Sequence, residues 1–220
     1  RVGNVKEYVF DSRNRVVRER EYTGRANPAL PTTDLTNRPT GKLRPTDPDF
    51  FETRYEWNED SLKTRVIHPN GNITEYVYES ALKPDAPPRT RGNLRIVRHL
   101  PGTHTPAGDQ AVIEELYEYD TNLGSACCGF NFVTRHVDGR GNETLNDYDE
   151  RGNLIYTRHR IPSIIEDFEY NEFGQMTVHV LPDNGSGNRR RDEYTYYSSS
   201  PQRGYLQQEI VDATGFALTT

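Results

Sequence analysis

The chain has 220 residues, and its 27 Lys and Arg against 33 Asp and Glu give a formal net charge of −6 at pH 7. The two signs are interspersed and form no basic stripe that could neutralise phosphates, so nucleic acid is not an expected partner. Hydrophobic residues make up only 33% of the chain, which argues against an ordinary globular core. Neither a membrane span nor an N-terminal signal-peptide pattern is predicted.

Taken in order, the sequence predicts strands and turns with proline-bearing insertions. Residues 1–22 read as a first hairpin, and the segment at about 23–50 holds five prolines. Since prolines cannot occupy central strands, that segment is predicted to be an insertion loop. Further insertion loops are expected at about 80–91, 101–110, 121–129 and 182–192. No helical apolar period is present, so residues 1–220 are interpreted as one array of strands and turns.

The strands share an internal repeat marked by aromatic residues. Seven copies each carry an aromatic residue just before the turn, and six of them have a second aromatic two residues earlier. Two residues is the period of a strand, so each pair is predicted to project from one face, and stacked copies would form an aromatic ladder. The repeat-defining aromatics are Tyr8, Phe10, Tyr55, Trp57, Tyr76, Tyr78, Tyr117, Tyr119, Tyr148, Phe168, Tyr170, Tyr194 and Tyr196.

The turn that follows each aromatic has its own signature, clearest in Asp149-Glu-Arg-Gly152-Asn153. Asp and Asn tolerate left-handed backbone and bond their own main chain, and glycine has no Cβ to clash there, so this pattern predicts a hairpin turn. The tetrapeptide Arg-Gly-Asn-Leu occurs twice, at 91–94 and 151–154. Other turn residues assigned to the repeat are Asp11, Gly92, Asp120 and Gly174.

These motifs resemble the YD-repeat (Rhs-type) family, which includes bacterial Rhs toxins, shell-forming subunits of insecticidal toxin complexes, and the extracellular domain of teneurins. The pairs Tyr119-Asp120, Tyr148-Asp149 and Tyr170-Asn171 carry the resemblance, which extends over the whole chain. It implies an all-β fold of antiparallel hairpins laid side by side into a spiralling sheet, often closed into a hollow shell. Because the chain opens and ends inside a repeat, it is expected to be a fragment of a longer array.

The resemblance implies a structural role in a secreted or cell-surface protein. The segment would form the wall of a shell that encapsulates a toxin, or part of an extracellular filament, with the rest of the parent array or neighbouring subunits as partners. The alternative is an adhesion module, because tyrosines flanked by Asn, Asp and Arg are typical of surfaces that bind glycans. No catalytic motif is present, so neither an enzyme nor a cofactor is predicted.

The remaining candidates for chemistry have simpler explanations. Cys127 and Cys128 could form a vicinal disulfide, bind a thiophilic metal or remain thiols, and metal binding would need further ligands. Turn carboxylates such as Asp138 and Asp149 could ligate calcium, but the slot after the aromatic varies in a way that suits turn formation better. The run of three arginines at 189–191 is interpreted as a solvated loop tip.

Histidines recur at the end of the second strand of the repeat. In neighbouring hairpins, spaced about 4.8 Å apart, they could converge on an ion. Duplication of one unit explains the recurrence more simply, so no metal site is predicted. The five histidines concerned are His68, His99, His136, His159 and His179.

Overall fold

The computed structural model describes residues 4–31, 33–34, 36–39, 41–102, 111–119, 131–162, 164–185 and 187–219. These residues belong to two compact units. One comprises Arg1–Pro84 and Ile96–Glu114, and the other comprises Asp85–Arg95 and Glu115–Thr220. Within the described ranges the only helix is the four-residue α1 (Glu79–Leu82). No described helix is long and apolar enough to cross a membrane.

The first unit is built on five consecutive strands. Each pairs antiparallel with the next along the chain, so the unit is a row of hairpins in sequence order. The strands are β1 (Asn4–Phe10), β2 (Val16–Arg25), β3 (Phe50–Trp57), β4 (Lys63–Ile67) and β5 (Ile73–Tyr78). Two further strands, β6 (Leu94–Leu100) and β7 (Ile113–Tyr119), contribute residues to both units.

The second unit repeats the arrangement, beginning with Leu116–Tyr119 of β7 paired to the next strand. Every later strand pairs antiparallel with its neighbour in the chain. These strands are β8 (Val133–Val137), β9 (Glu143–Tyr148), β10 (Leu154–Arg158), β11 (Ile165–Tyr170), β12 (Met176–Asp183), β13 (Arg189–Tyr196), β14 (Leu206–Val211) and β15 (Leu218–Thr219). The predicted all-β array of antiparallel hairpins is therefore confirmed.

Six connections in the described part of the chain close with the same five-residue turn. In residues 149–153 the N–H of Asp149 donates to the Asn153 carbonyl at 2.9 Å, and the N–H of Gly152 donates to the Asp149 carbonyl at 3.0 Å. Gly152 has a φ of +88°, which an L side chain rarely adopts. The same two hydrogen bonds occur in the turns that begin at Asp11, Asn58, His68, Asp138 and Asn171.

The strands enclose almost no core. Among the described residues the buried hydrophobic side chains are Val66, Ala86, Val97 and Val178, and no large side chain is fully buried. Both faces of each sheet are thus partly exposed to solvent. Side-chain hydrogen bonds and ion pairs therefore add to the backbone pairing between neighbouring strands.

The first predicted insertion is anchored to the strands beside it. The N–H of Thr23 donates to the Asp49 carbonyl at 3.1 Å, which closes the base of the insertion. Arg38 donates from Nε and Nη2 to the two carboxylate oxygens of Glu7 at 2.9 and 3.0 Å. Tyr22 donates to the same carboxylate at 2.7 Å, so Glu7 ties the insertion to β1 and β2.

The arginine run lies on a strand, so its interpretation as a loop tip is wrong. Arg189, Arg190 and Arg191 open β13. Arg189 donates to the Asp167 carboxylate at 2.5 Å and to the carbonyls of Ile165 and Val180. Acidic and carbonyl groups on neighbouring strands therefore compensate a charge run that would otherwise favour solvent.

Candidate functional site

The aromatic pairs of the repeat define one face of each sheet. Tyr117 and Tyr119 of β7 are half-buried, whereas Glu118 between them is exposed. The same alternation holds at three further pairs, where the exposed residue in between is Glu56, Glu169 or Thr195. In β1 the pair itself is open, with Tyr8 47% and Phe10 52% exposed. We call this side of each sheet the aromatic face.

Five of the seven pre-turn aromatics bind the backbone of the strand before their hairpin. The hydroxyl of Tyr148 donates to the carbonyl of Val133, the first residue of β8, at 3.0 Å. Tyr78, Tyr119 and Tyr196 donate in the same way to the carbonyls of Lys63, Leu94 and Met176. In the first unit the indole of Trp57 makes the equivalent bond to Val16 at 2.9 Å. The polar end of the aromatic is therefore used within the sheet, and burial raises the pKa of Tyr148 and Tyr119.

The recurring histidines also pack on this face. His136 stacks on Tyr117 with ring centroids 4.6 Å apart, and His179 stacks on Phe168 at 4.7 Å. In these two hairpins the ring contact that joins the strands is an imidazole–aromatic pair and not a contact between two repeat aromatics. Stacking therefore gives these two copies a physical reason to hold a histidine.

In the second unit one carboxylate bridges two histidines across three strands. Glu166 of β11 accepts from His159 Nε2 at 3.1 Å and lies 2.7 Å from His179 Nε2 of β12. Burial alone would raise the pKa of Glu166, but the bonds from both histidines outweigh burial and hold that pKa below its ordinary value. These side-chain contacts join β11 to β12 and to the residue that directly follows β10, in addition to the backbone pairing of the three strands. We call the arrangement the histidine bridge.

The histidine bridge predicts a pH dependence of folding. A carboxyl group whose pKa is lowered in the folded state stabilises the fold at pH values above its unfolded pKa, which for Glu is ordinarily 4.5. That stabilisation is lost as the pH falls through the pKa of the folded state. We expect Glu166→Gln to be less stable than wild type at neutral pH, with the difference shrinking below pH 4.5. Chemical unfolding of both proteins at a series of pH values measures this difference in the free energy of unfolding.

Glu172→Gln is the matched control for this pH series. Glu172 is exposed, and within the described part of the chain its carboxylate makes no hydrogen bond or ion pair. Its substitution should leave the pH profile unchanged. A Glu166→Gln profile parallel to wild type down to acid pH would show that the bridge contributes nothing to folding.

The turn carboxylates are occupied by their own loops. Asp149 Oδ1 accepts from the N–H groups of Arg151 and Asn153 at 2.9 and 2.8 Å, and Oδ2 accepts from Asn153 Nδ2 at 2.8 Å. Burial would raise the pKa of Asp149, but these bonds outweigh it and lower that pKa. Asp138 is held in the same way by Arg140 and Asn142. The need for an acceptor explains the Asp or Asn that begins five of these turns, at positions 11, 58, 138, 149 and 171.

Loss of one turn acceptor should weaken folding measurably. We expect Asp149→Ala to lower the free energy of unfolding by about 1–2 kcal/mol, because two backbone N–H groups lose their acceptor. Asp147→Ala, at an exposed position of β9 two residues earlier, should change it by less than about 0.5 kcal/mol. Equal losses in the two variants, measured by urea unfolding, would contradict a special role for the turn carboxylate.

Adjacent turns are also joined at the same edge. Arg151 Nη1 donates to the carbonyl of Glu172 in the next turn at 2.6 Å. Arg13 makes the equivalent bond to the carbonyl of Glu59 at 2.9 Å. Donor and acceptor hold the same turn positions in both cases, so the arginine of the turn signature fastens one hairpin to the next.

The opposite face carries ion pairs that cross strands. Arg135 of β8 contacts Glu118 of β7 at 2.6 Å and Glu143 of β9 at 2.5 Å. Arginines in the first unit are flanked in the same way, with the sets Glu7–Arg20–Glu52 and Glu56–Arg65–Glu75 at 2.7–4.0 Å. We call this side the ionic face. Since these pairs are partly exposed, they are expected to fix strand register more than to add stability.

The other residues assigned from sequence fall in several places. Tyr55 donates to Glu19 at 3.0 Å, Tyr194 is half-buried on β13, and Gly92 lies in the turn before β6. Tyr76 and Tyr170 are half-buried on β5 and β11, and Gly174 adopts a φ of +76°. Asp120, Cys127 and Cys128 lie outside the described residues. The bonding partners of the tyrosine hydroxyls and the stacking of the histidines were not predicted.

Fold and side-chain bonding together define a hairpin-repeat sheet in which each repeat is fastened to its neighbour. No family model matches the chain, and no curated protein matches it. Among solved structures, the chain is similar to a TcdB2-TccC3 crystal structure at 13% identity and a TM-score of 0.45, covering 100% of this chain and 12% of that chain. For the TcdB2-TccC3 structure without the hypervariable C-terminal region, the identity is 14% and the TM-score is 0.44. That match covers 100% of this chain and 12% of that chain.

The chain is also similar to the Tc holotoxin pore of Photorhabdus luminescens, at 14% identity and a TM-score of 0.25, covering 97% of this chain and 14% of that chain. The chain thus spans 12–14% of the length of these solved chains.

Proposed function

We propose that this chain is a structural wall segment of a secreted or cell-surface YD-repeat-type protein. The observation that carries the proposal is the recurrent bonding between successive hairpins, in which Tyr78, Tyr119, Tyr148 and Tyr196 donate to the backbone of the preceding strand. Such bonds hold an extended sheet together without a core. The proposed role is mechanical rather than enzymatic.

Nearest-neighbour bonding is what a wall requires. Backbone pairing joins the strands of a repeat, and neighbouring repeats are joined at several places by the pre-turn aromatic on one face and by arginine–glutamate pairs on the other. Stability of such an array is a sum over repeats and their interfaces, so copies can be added without redesign of a core. Open sheet edges invite pairing, and we therefore propose the rest of a longer array or neighbouring subunits as partners.

More specifically, we propose that the wall belongs to a shell that encapsulates a toxic domain. The alternative is that the same repeats form an extracellular filament. Electron microscopy of the full-length protein purified from its source separates the two. A closed hollow particle supports the shell, and long fibres support the filament. Compact particles without a lumen or a fibre axis would overturn the wall proposal.

A glycan-binding adhesion module is the second candidate, and the observation that favours it is the presence of open aromatic rings, with Phe173 65% and Tyr205 70% exposed. Exposed aromatic rings offer an apolar surface on which sugar rings can stack. A glycan pull-down compares wild type with Phe173→Ala and Tyr117→Ala. Tyr117 donates to Glu115 and stacks on His136, so loss of binding on Phe173→Ala alone would support binding at the open rings.

A further inference from the structure

The first unit holds a cavity of about 370 Å³ between the first insertion and the ends of β1, β2 and β3. This volume lies within the range of roughly 300–1,000 Å³ that is typical of small-molecule sites. Apolar and charged side chains line it together. The lining residues on which the inference depends are Val5, Leu43, Arg44, Asp47 and Phe51. The proposed wall function assigns no role to this cavity.

Contacts between the insertion and β2 fix the outer wall of the cavity. Thr23 donates from Oγ1 to the carbonyl of Pro48 at 2.7 Å. Gly24 lies so close to the insertion that an added Cβ would be 1.8 Å from the carbonyl oxygen of Gly41. These contacts hold residues 43–47 beside the strand ends, so the cavity is formed before any ligand enters.

Two opposite charges of the cavity wall emerge from one four-residue turn. The N–H of Asp47 donates to the carbonyl of Arg44 at 3.1 Å, and the N–H of Arg44 donates to Asp47 Oδ2 at 3.1 Å. Pro45 holds the second position of this turn, which its fixed φ favours. The side chains of Arg44 and Asp47 therefore leave the backbone at fixed places in the wall.

These two charges do not neutralise each other. Within the described part of the chain the guanidinium of Arg44 makes no hydrogen bond or ion pair, and Asp47 Oδ1 accepts no hydrogen bond. The other charged residues of the lining, Lys6 and Glu21, form an ion pair. The cavity thus presents one uncompensated cation and one carboxylate oxygen with unused acceptor capacity.

We propose that this cavity binds an α-amino acid with an apolar side chain. The guanidinium of Arg44 would donate to the α-carboxylate, and Asp47 Oδ1 would accept from the α-ammonium group, both as charge-assisted hydrogen bonds. Leu43 and Phe51 are 61% and 47% exposed, and with Val5 they would cover the apolar side chain of the ligand. A zwitterion is favoured over a simple cation or anion because it pairs with both charges at once. The proposal is independent of the wall function.

Titration of the 220-residue chain with L-leucine tests the proposal, and three analogues each remove one feature of the ligand. L-Leucinamide lacks the carboxylate, N-acetyl-L-leucine lacks the ammonium group, and glycine lacks the side chain. The readout is the methyl signals of Val5 and Leu43 in heteronuclear NMR, with Val178 of the second unit as the internal control. We expect saturable shifts confined to the first two, with a Kd for leucine in the millimolar range, and binding at least about tenfold weaker for each analogue. Equal shifts at Val178, no saturation by leucine, or an analogue that binds as tightly as leucine would overturn it.

Two variants assign the charges one at a time. Arg44→Gln should weaken the binding of leucine at least about tenfold and leave that of leucinamide, which has no carboxylate, unchanged. Asp47→Asn keeps an acceptor for the N–H of Arg44 and should weaken the binding of leucine but not that of N-acetyl-leucine. The proposal fails if either variant weakens leucine and the corresponding analogue equally.

Arg18→Gln is the matched control. Arg18 is an exposed arginine of β2 that does not line the cavity, so its substitution should leave all four affinities unchanged. A loss of leucine binding on Arg18→Gln as large as on Arg44→Gln would show a general effect of charge and overturn the proposed site. Urea unfolding verifies that all three variants are folded.

Discussion

Replacing Gly152 by alanine is expected to lower the free energy of unfolding by about 2–4 kcal/mol, from two separate causes. Gly152 adopts a φ of +88°, and an added Cβ would lie 2.5 Å from Cζ of Phe132. Phe132 packs on Tyr148 with ring centroids 4.9 Å apart, so it cannot move without disturbing a pre-turn aromatic. The turn and the aromatic face are therefore coupled through this contact.

Gly141→Ala separates the two causes. Gly141 holds the same turn position with a φ of +78°, and a Cβ there would meet nothing within 4 Å. Its substitution should cost only the backbone term, about 1–2 kcal/mol. Urea unfolding of both variants gives the difference, which measures the steric contact with Phe132. Equal costs at the two glycines would show that Phe132 yields freely.

The hairpins could be predicted because their signals are local. A turn such as 149–153 is specified by residues that contact one another within five positions, and Asp149 bonds groups two and four residues ahead. The two-residue spacing of Tyr117 and Tyr119 likewise fixes their common face without knowledge of any other strand. Local consistency of this kind is what a repeat copies.

The bonds between strands could not be predicted, because they depend on register. Tyr148 reaches Val133 only because the β8–β9 pairing places Arg135 opposite Leu145. In the sequence the glutamates of the ionic face are merely interspersed, and only the pairing shows that Arg135 lies between two of them. A shift of one residue would exchange the two faces.

The prediction that the arginine run forms a loop tip is wrong for the same reason. A block of three like charges usually lies in solvent. Here the run follows Gly185 and Gly187, both with positive φ, and the chain has already turned when it reaches Arg189. The compensating Asp167 lies 22 positions earlier in sequence and two strands away, so no local pattern could reveal it.

A combined variant of the second unit, Tyr119→Phe with Tyr148→Phe and Tyr196→Phe, should lose about 3 kcal/mol of unfolding free energy. Each substitution keeps the ring and removes one hydroxyl, which donates to a backbone carbonyl at 2.7–3.0 Å. A hydrogen bond of this kind contributes about 1 kcal/mol. The three sites share no partner, so their effects should add. Chemical unfolding of the single and combined variants measures both the sum and its additivity.

Tyr170→Phe is the control that the fold itself provides. Tyr170 holds the same pre-turn position on β11 and is half-buried like the others. Its hydroxyl makes no hydrogen bond to a carbonyl in the described part of the chain, so its loss should cost less than about 0.5 kcal/mol. If Tyr170→Phe destabilises the protein as much as Tyr148→Phe, the hydroxyl acts through solvation rather than through the strand before it. A small effect at Tyr170 and a large one at Tyr148 would instead establish that the repeat keeps tyrosine in order to fasten each hairpin to its neighbour.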